Sequence, residues 1–166
     1  MDRLWAPWRM PYIMSTVKQT DEECVFCRMV AEREDERNLI LWRGALAFVV
    51  MNLFPYNTGH VMIVPVRHTG DFASLTGKEH LELMRLVGRS QDVLTHCMSP
   101  HGFNVGMNLG RPSGAGIVDH LHYHVVPRWT GDANFMSTVS NTKVMSEGLP
   151  ETWRRLREGF DALQKR

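Results

Sequence analysis

The sequence predicts an α+β domain on an antiparallel sheet of about five strands, and three observations predict it. Short apolar, β-branched runs recur between turn residues, and one long stretch from Thr76 to Cys97 carries apolar residues at helical spacing. The runs come one after another before that stretch and again after it, without the regular strand–helix alternation of a parallel sheet. A chain of 166 residues is long enough for one core and short for two, so a single domain over 1–166 is expected.

Residues 1–20 mix Trp, Pro and Met without a period and read as an arm over the body, with Trp5, Trp8 and Tyr12 seeking burial. From Cys24 to Arg37 the composition is charged and helix-compatible, with Phe26, Met29 and Val30 as an inner face. Leu39-Ile40-Leu41-Trp42 and Leu46-Ala47-Phe48-Val49-Val50-Met51 flank Arg43-Gly44 and read as a hairpin. Asn52 to Gly59 is a loop, and His60 to Pro65 a third strand. Thr76-Gly77-Lys78-Glu79 has the form of a capping box, and Leu83, Leu86, Val87, Val93, Leu94 and Cys97 continue behind it at helical spacing. Gly102 to Asn108 and Leu121 to Pro127 read as two more strands joined by a glycine-rich loop. Pro150 opens a last helix over 150–166, with Trp153, Leu156, Phe160 and Leu163 as one stripe.

Lys and Arg number 19 against 18 Asp and Glu, so no bulk attraction to nucleic acid or to an anionic membrane is expected, and any phosphate contact must be local. No run is apolar and long enough for a membrane span, and the charged, proline-bearing start does not read as a secretory signal. A cytoplasmic protein is expected. Three cysteines do not make a disulfide framework, and Cys24-Val25-Phe26-Cys27 is open to metal ligation, redox chemistry or plain burial.

On a strand, His120, His122 and His124 share one face while Leu121, Tyr123 and Val125 take the other. Three imidazoles in a row are poor packing material, so they are expected to line a site. A three-histidine zinc centre and incidental surface histidines are the alternatives.

His120-Leu121-His122-Tyr123-His124-Val125-Val126 resembles the motif that names the histidine triad superfamily, and Gly59-His60-Val61-Met62-Ile63-Val64-Pro65 is similar to that family's earlier strand. The resemblance covers 24–130. It implies that His122 is a nucleophile forming a nucleotidyl-histidine, that His124 contacts phosphate oxygens or the leaving group, and that His60 sits beside the pair. It places Asn52 on the ribose, where a loop-tip Asn can equally be turn chemistry. It also sets Asn108, Ser113, Gly114 and Gly116 around the phosphates. Trp129 would stack on a base or cover the core. Where many members carry Gln-Ser or Gln-Thr, this chain has Gly116-Ile117, so backbone groups, Ser113 or Arg111 must supply the missing donor.

Some bacterial members pair a C-x2-C with two histidines around a structural zinc, which implies Cys24, Cys27, His68 and His120 as ligands here. The stretch from Pro127 to Met136 resembles the bacterial subgroup that includes dinucleoside tetraphosphate phosphorylases. The resemblance thus implies a hydrolase or phosphorylase of dinucleoside polyphosphates or related adenylates, an adenine nucleotide as substrate, Mg entering only with that substrate, and a homodimer. Alternatives are a hexose-1-phosphate nucleotidyltransferase, a nucleotide sensor without turnover, and a zinc-stabilised interaction module.

Overall fold

The computed structural model describes residues 24–133 and 144–164. The expected arm over 1–20 lies outside them. The elements run α1 (Val25–Glu32), β1 (Ile40–Arg43), β2 (Ala47–Met51), β3 (Val61–Pro65), α2 (Gly77–Met98), β4 (Gly102–Met107), β5 (Tyr123–Arg128) and α3 (Leu149–Gln164). The strands form one sheet in the order β1-β2-β3-β5-β4, every neighbouring pair antiparallel. No helix of the described residues is long and apolar enough to cross a membrane.

Helix α2 starts where the sequence marks it. The Thr76 hydroxyl accepts from the Glu79 backbone N–H, and the Glu79 carboxylate accepts from the Thr76 N–H at 2.7 Å. Arg67 closes on the same carboxylate at 2.8 and 3.0 Å and, with the Thr76 bonds, holds it down to about 2. Helix α1 is shorter than its composition suggests. Arg33 adopts the left-handed region at φ 55° and ends it, and the charged residues that follow form turns.

Alternation along the strands divides the core into two layers. Leu41, Ala47, Val49, Met51, Val61, Ile63, Leu121 and Val125 pack beneath α2 and α3. Ile40, Phe48, Val50, Met62 and Val64 pack with Phe26 of α1 on the opposite face. The central strands β2 and β3 thus bury both of their faces, one under the long helices and one toward the short helix and the histidines. Helices α2 and α3 meet closely at Gly159, where an added Cβ would stand 2.6 Å from Cys97 Sγ and 2.9 Å from Val93 Cγ1.

Candidate functional site

The expected strand over the histidines begins only at Tyr123, because the Leu121 N–H goes to the Thr69 carbonyl at 2.8 Å and leaves the sheet ladder. The alternation still holds. Leu121 and Tyr123 belong to the helical layer, while His120, His122 and His124 are buried on the other side. His60, at the entry to β3, is wholly buried and reaches across to His124, its Nε2 lying 2.9 Å from His124 Nδ1.

Backbone groups settle which nitrogens carry protons, since an amide can only donate and a carbonyl only accept. The Tyr56 N–H donates to His60 Nδ1 at 3.1 Å. Neutral His60 therefore holds its proton on Nε2 and gives it to His124 Nδ1, which puts the His124 proton on Nε2. His122 Nδ1 lies 2.9 Å from the His120 carbonyl, so Nδ1 donates there and Nε2 keeps its lone pair. His120 Nε2 donates to the Pro65 carbonyl at 2.8 Å, turning its Nδ1 lone pair toward the cysteines. Burial first, then the neighbouring His124 and His122, pushes His60 down to about 3, and burial lowers His122 as well. All these tautomers belong to uncharged rings.

The second cluster joins parts of the chain far apart in sequence. His120 Nδ1 lies 3.2 Å from Cys24 Sγ and 3.7 Å from Cys27 Sγ, and His68 Nδ1 lies 3.4 Å from Cys27 Sγ. All four ligand atoms fall within 4.8 Å of one another. Two sulfurs and two nitrogens around one tetrahedral metal would stand roughly 3.5 to 4 Å apart from bond lengths of about 2.3 and 2.1 Å, so the set fits a metal ion of zinc's preferences.

Around these groups the structure places the other expected residues unevenly. The Asn52 amide sits 3.3 Å from His60 Nδ1, and its Oδ1 accepts from the Phe54 N–H at 2.9 Å, an Asx turn beside the histidines. Asn108 follows β4 directly, one residue beyond the Met107–Tyr123 pair that ends the β4–β5 ladder. Ser113 donates to the Gly110 carbonyl and Gly114 turns at φ 92°, so both shape the loop from within. Gly116 precedes Ile117, which packs into the α1 layer. Trp129 lies on the helical side, its indole N–H on the Met98 carbonyl at the end of α2, facing a cavity of about 390 Å³ with Thr58, Glu147 and Arg155.

Residues that the motif does not mark also enter. The Tyr56 ring lies 4.7 Å from that of His60 and 5.7 Å from that of His124, and Tyr56 is exposed, as are Leu53 and Phe54 of the same loop. Asn57 ties this loop to β5 through the Pro127 carbonyl and to the turn after it through the Asp132 carboxylate. Of the remaining histidines, His80 lies edge-on to Phe72, His101 accepts from the Thr130 N–H, and His96 is exposed.

Comparison with known proteins bears on the fold and the family. A family model described as "HIT domain" matches residues 33–131. The chain is 40% identical over 161 residues to an AP-4-A phosphorylase of Mycobacterium tuberculosis, covering 94% of this chain and 83% of that protein. A bis(5'-nucleosyl)-tetraphosphatase (asymmetrical) of Schizosaccharomyces pombe is 29% identical over 109 residues, 66% of this chain and 59% of that one. Among solved structures, a Zn-bound histidine triad family protein from Mycobacterium smegmatis superposes with a TM-score of 0.70 at 22% identity, covering 86% of this chain and 96% of that one. The matched segment takes in every histidine of the buried cluster, and the chain belongs to the HIT domain family.

Proposed function

We propose that this chain cleaves dinucleoside polyphosphates or related adenylates by passing a nucleotidyl group through His122 to phosphate or water. The observation that carries the reading is the His122 tautomer, with Nδ1–H held by the His120 carbonyl and an Nε2 lone pair on an uncharged, buried ring. Such an imidazole attacks phosphorus without first losing a proton. As the P–N bond forms, the P–O bond to the departing nucleotide breaks, its oxygen leaves as a phosphate oxyanion, and His124 Nε2–H donates a hydrogen bond to the charge that grows there. His60 keeps His124 in the tautomer that can do so. An incoming phosphate oxyanion, or a water whose proton passes to solvent, then attacks the phosphorus, the P–N bond breaks, and His122 regains its Nε2 lone pair. Asn52, Asn108 and the loop through Ser113, Gly114 and Gly116 are proposed to receive ribose and phosphates. Trp129 is proposed only at the margin of the nucleotide site.

The names of the relatives support this substrate class. Incubation with diadenosine tetraphosphate, with and without phosphate, reads the acceptor: nucleoside diphosphate marks phosphorolysis and monophosphate marks hydrolysis. His122→Ala should lower turnover at least about a thousandfold, as loss of a nucleophile does. Turnover by the variant near the wild-type rate would overturn the mechanism.

We also propose zinc at Cys24, Cys27, His68 and His120, where it would brace the strand two residues from His122 without taking part in the reaction. Elemental analysis should find about one zinc per chain. Thiols kept as ligands suit a reducing, cytoplasmic setting. A homodimer is proposed through β4, an uncharged edge strand with Asn104, Val105 and Gly106 exposed. Sedimentation equilibrium checks it, and a monomer at micromolar concentration would refute it.

A further inference from the structure

Between the cysteine pair and His122 stands a single aromatic ring. Phe26 is the second residue of α1, inside Cys24-Val25-Phe26-Cys27, and is 1% exposed. Its ring meets His120 edge-on at 5.3 Å and 76°, and meets His122 at 5.3 Å and 55°. Phe48, Ile40, Val50, Met62 and Val64 surround the rest of it. The His122 ring also touches the His124 ring, at 4.9 Å and 78°. The hydrogen bond from Nδ1 to the His120 carbonyl chooses the tautomer but leaves the ring able to tilt about the bond. The rings of Phe26 and His124 are both in contact with it.

The seating of Phe26 depends on its helix, and α1 is only eight residues long. Its C-terminal end is held by Arg43, which donates to the Met29 and Val30 carbonyls at 3.1 Å each. Its N-terminal end has no side-chain cap, and the thiols of Cys24 and Cys27 at the imidazoles of His68 and His120 are the polar tie there. The four side chains would hold a metal through coordinate bonds in place of these contacts of 3.2 to 3.7 Å, two of them from the turn that carries Phe26. Without the ion, weak thiol–imidazole contacts stand where coordinate bonds would be, beside the apolar packing of Phe26.

We propose that Phe26 is a positioning residue that carries metal occupancy into the orientation of the His122 ring. The metal seats the first turn of α1, the turn seats Phe26, and Phe26 sets the direction of the Nε2 lone pair. Its catalytic consequence rests on His122 being the nucleophile, whereas its geometric part does not. A core plug would be indifferent to whether its volume comes from a ring or from an aliphatic chain, and a positioning ring is not.

The test is the solvent-exchange rate of the His122 Nδ1 proton, followed by NMR of the full-length protein with labelled histidine, zinc-loaded and after chelation. Exchange is chosen because removal of the Phe26 ring shifts nearby resonances whatever the histidine does. Chelation of the wild type should speed exchange by about tenfold or more as the ring loosens. Phe26→Leu, which retains apolar bulk and should retain about one zinc per chain, should exchange fast with zinc bound. In it, chelation should change the rate less than about twofold. Its kcat should fall about ten- to a hundredfold with KM nearly unchanged, the sign of a displaced reacting group rather than a lost binding contact.

Slow exchange in zinc-loaded Phe26→Leu, or an equal response to chelation in both proteins, would overturn the proposal. Should Phe26→Leu not fold, the wild-type response still decides, because exchange unaffected by chelation overturns it alone. The two readings fail separately. Turnover by His122→Ala sinks the nucleophile and leaves the exchange result standing, while flat exchange beside an inactive His122→Ala sinks only the role of Phe26.

Discussion

Acid should weaken this fold through His60 before its carboxylates titrate. His60 is wholly buried, its Nδ1 accepts from the Tyr56 N–H, and its Nε2 donates to His124. A second proton could enter only at Nδ1, against an amide that cannot turn round to accept it. Burial, His124 and His122 accordingly push the group down to about 3 from an ordinary 6.5. Because the folded state resists the proton, its stabilising contribution is complete above 6.5 and is lost as pH falls toward 3. In that window each pH unit costs about 1.4 kcal/mol, and allowing for partial titration near the upper end the loss from pH 7 to pH 5 is about 2 kcal/mol. Glu79, held down to about 2, contributes its own acid loss only below the usual carboxylate range, so the effects separate. Urea unfolding followed by tryptophan fluorescence at pH 7, 6 and 5 measures this for wild type and His60→Gln. Constant ionic strength and a chelator keep metal release out of the comparison. The wild type should lose about 2 kcal/mol more than the variant across the range. Parallel pH dependences would show that His60 is not the group that resists protonation.

Three further substitutions probe the scaffold. Glu79→Ala removes one half of the capping box and the partner of Arg67, and should lower stability by about 1 to 2 kcal/mol at neutral pH, with a visibly smaller loss at pH 3; an unchanged urea midpoint would contradict the capping geometry. Gly159→Ala should destabilise by about 1 to 3 kcal/mol, the reverse of the usual gain on replacing a helical glycine, because the methyl group meets Cys97 and Val93. Gly88→Ala on α2, with nothing within 4 Å of the new Cβ, should show the ordinary gain, and a gain for both would refute the close approach.

Local chemistry was legible where it did not depend on distant chain. Thr76 and Glu79 mark the start of α2 by hydrogen bonds that span three residues, and the alternation of His120, His122 and His124 with apolar neighbours marks the two faces of their segment. The meeting of Cys24 and Cys27 with His68 and His120 could be read only through resemblance, since 96 residues separate Cys24 from His120. Boundaries failed where tertiary contacts took over. Leu121 turns its N–H to Thr69 and so delays β5, and Arg33 enters the left-handed region in a run whose composition would equally continue α1. Tyr56 gave no signal because its place over His60 and His124 depends on the folding of its loop, and Trp129 faces away because its position in the strand alternation puts it with Tyr123 rather than with His124.

The sheet order has a consequence for synthesis. Cys24 and Cys27 leave the ribosome early, but His120 follows 96 residues after Cys24, and His60 waits for a partner 64 residues later. Domains emerge N-terminus first at roughly 5 to 20 residues per second, so for several seconds the growing chain carries two accessible thiols and none of the closure that would claim them. Helix α2 can form from local contacts in that interval, whereas β5 must arrive and insert between β3 and β4 before either histidine cluster exists. The site is therefore a late product of folding, and its cysteines are most open to oxidation or to capture by a wrong metal while the chain is still being made.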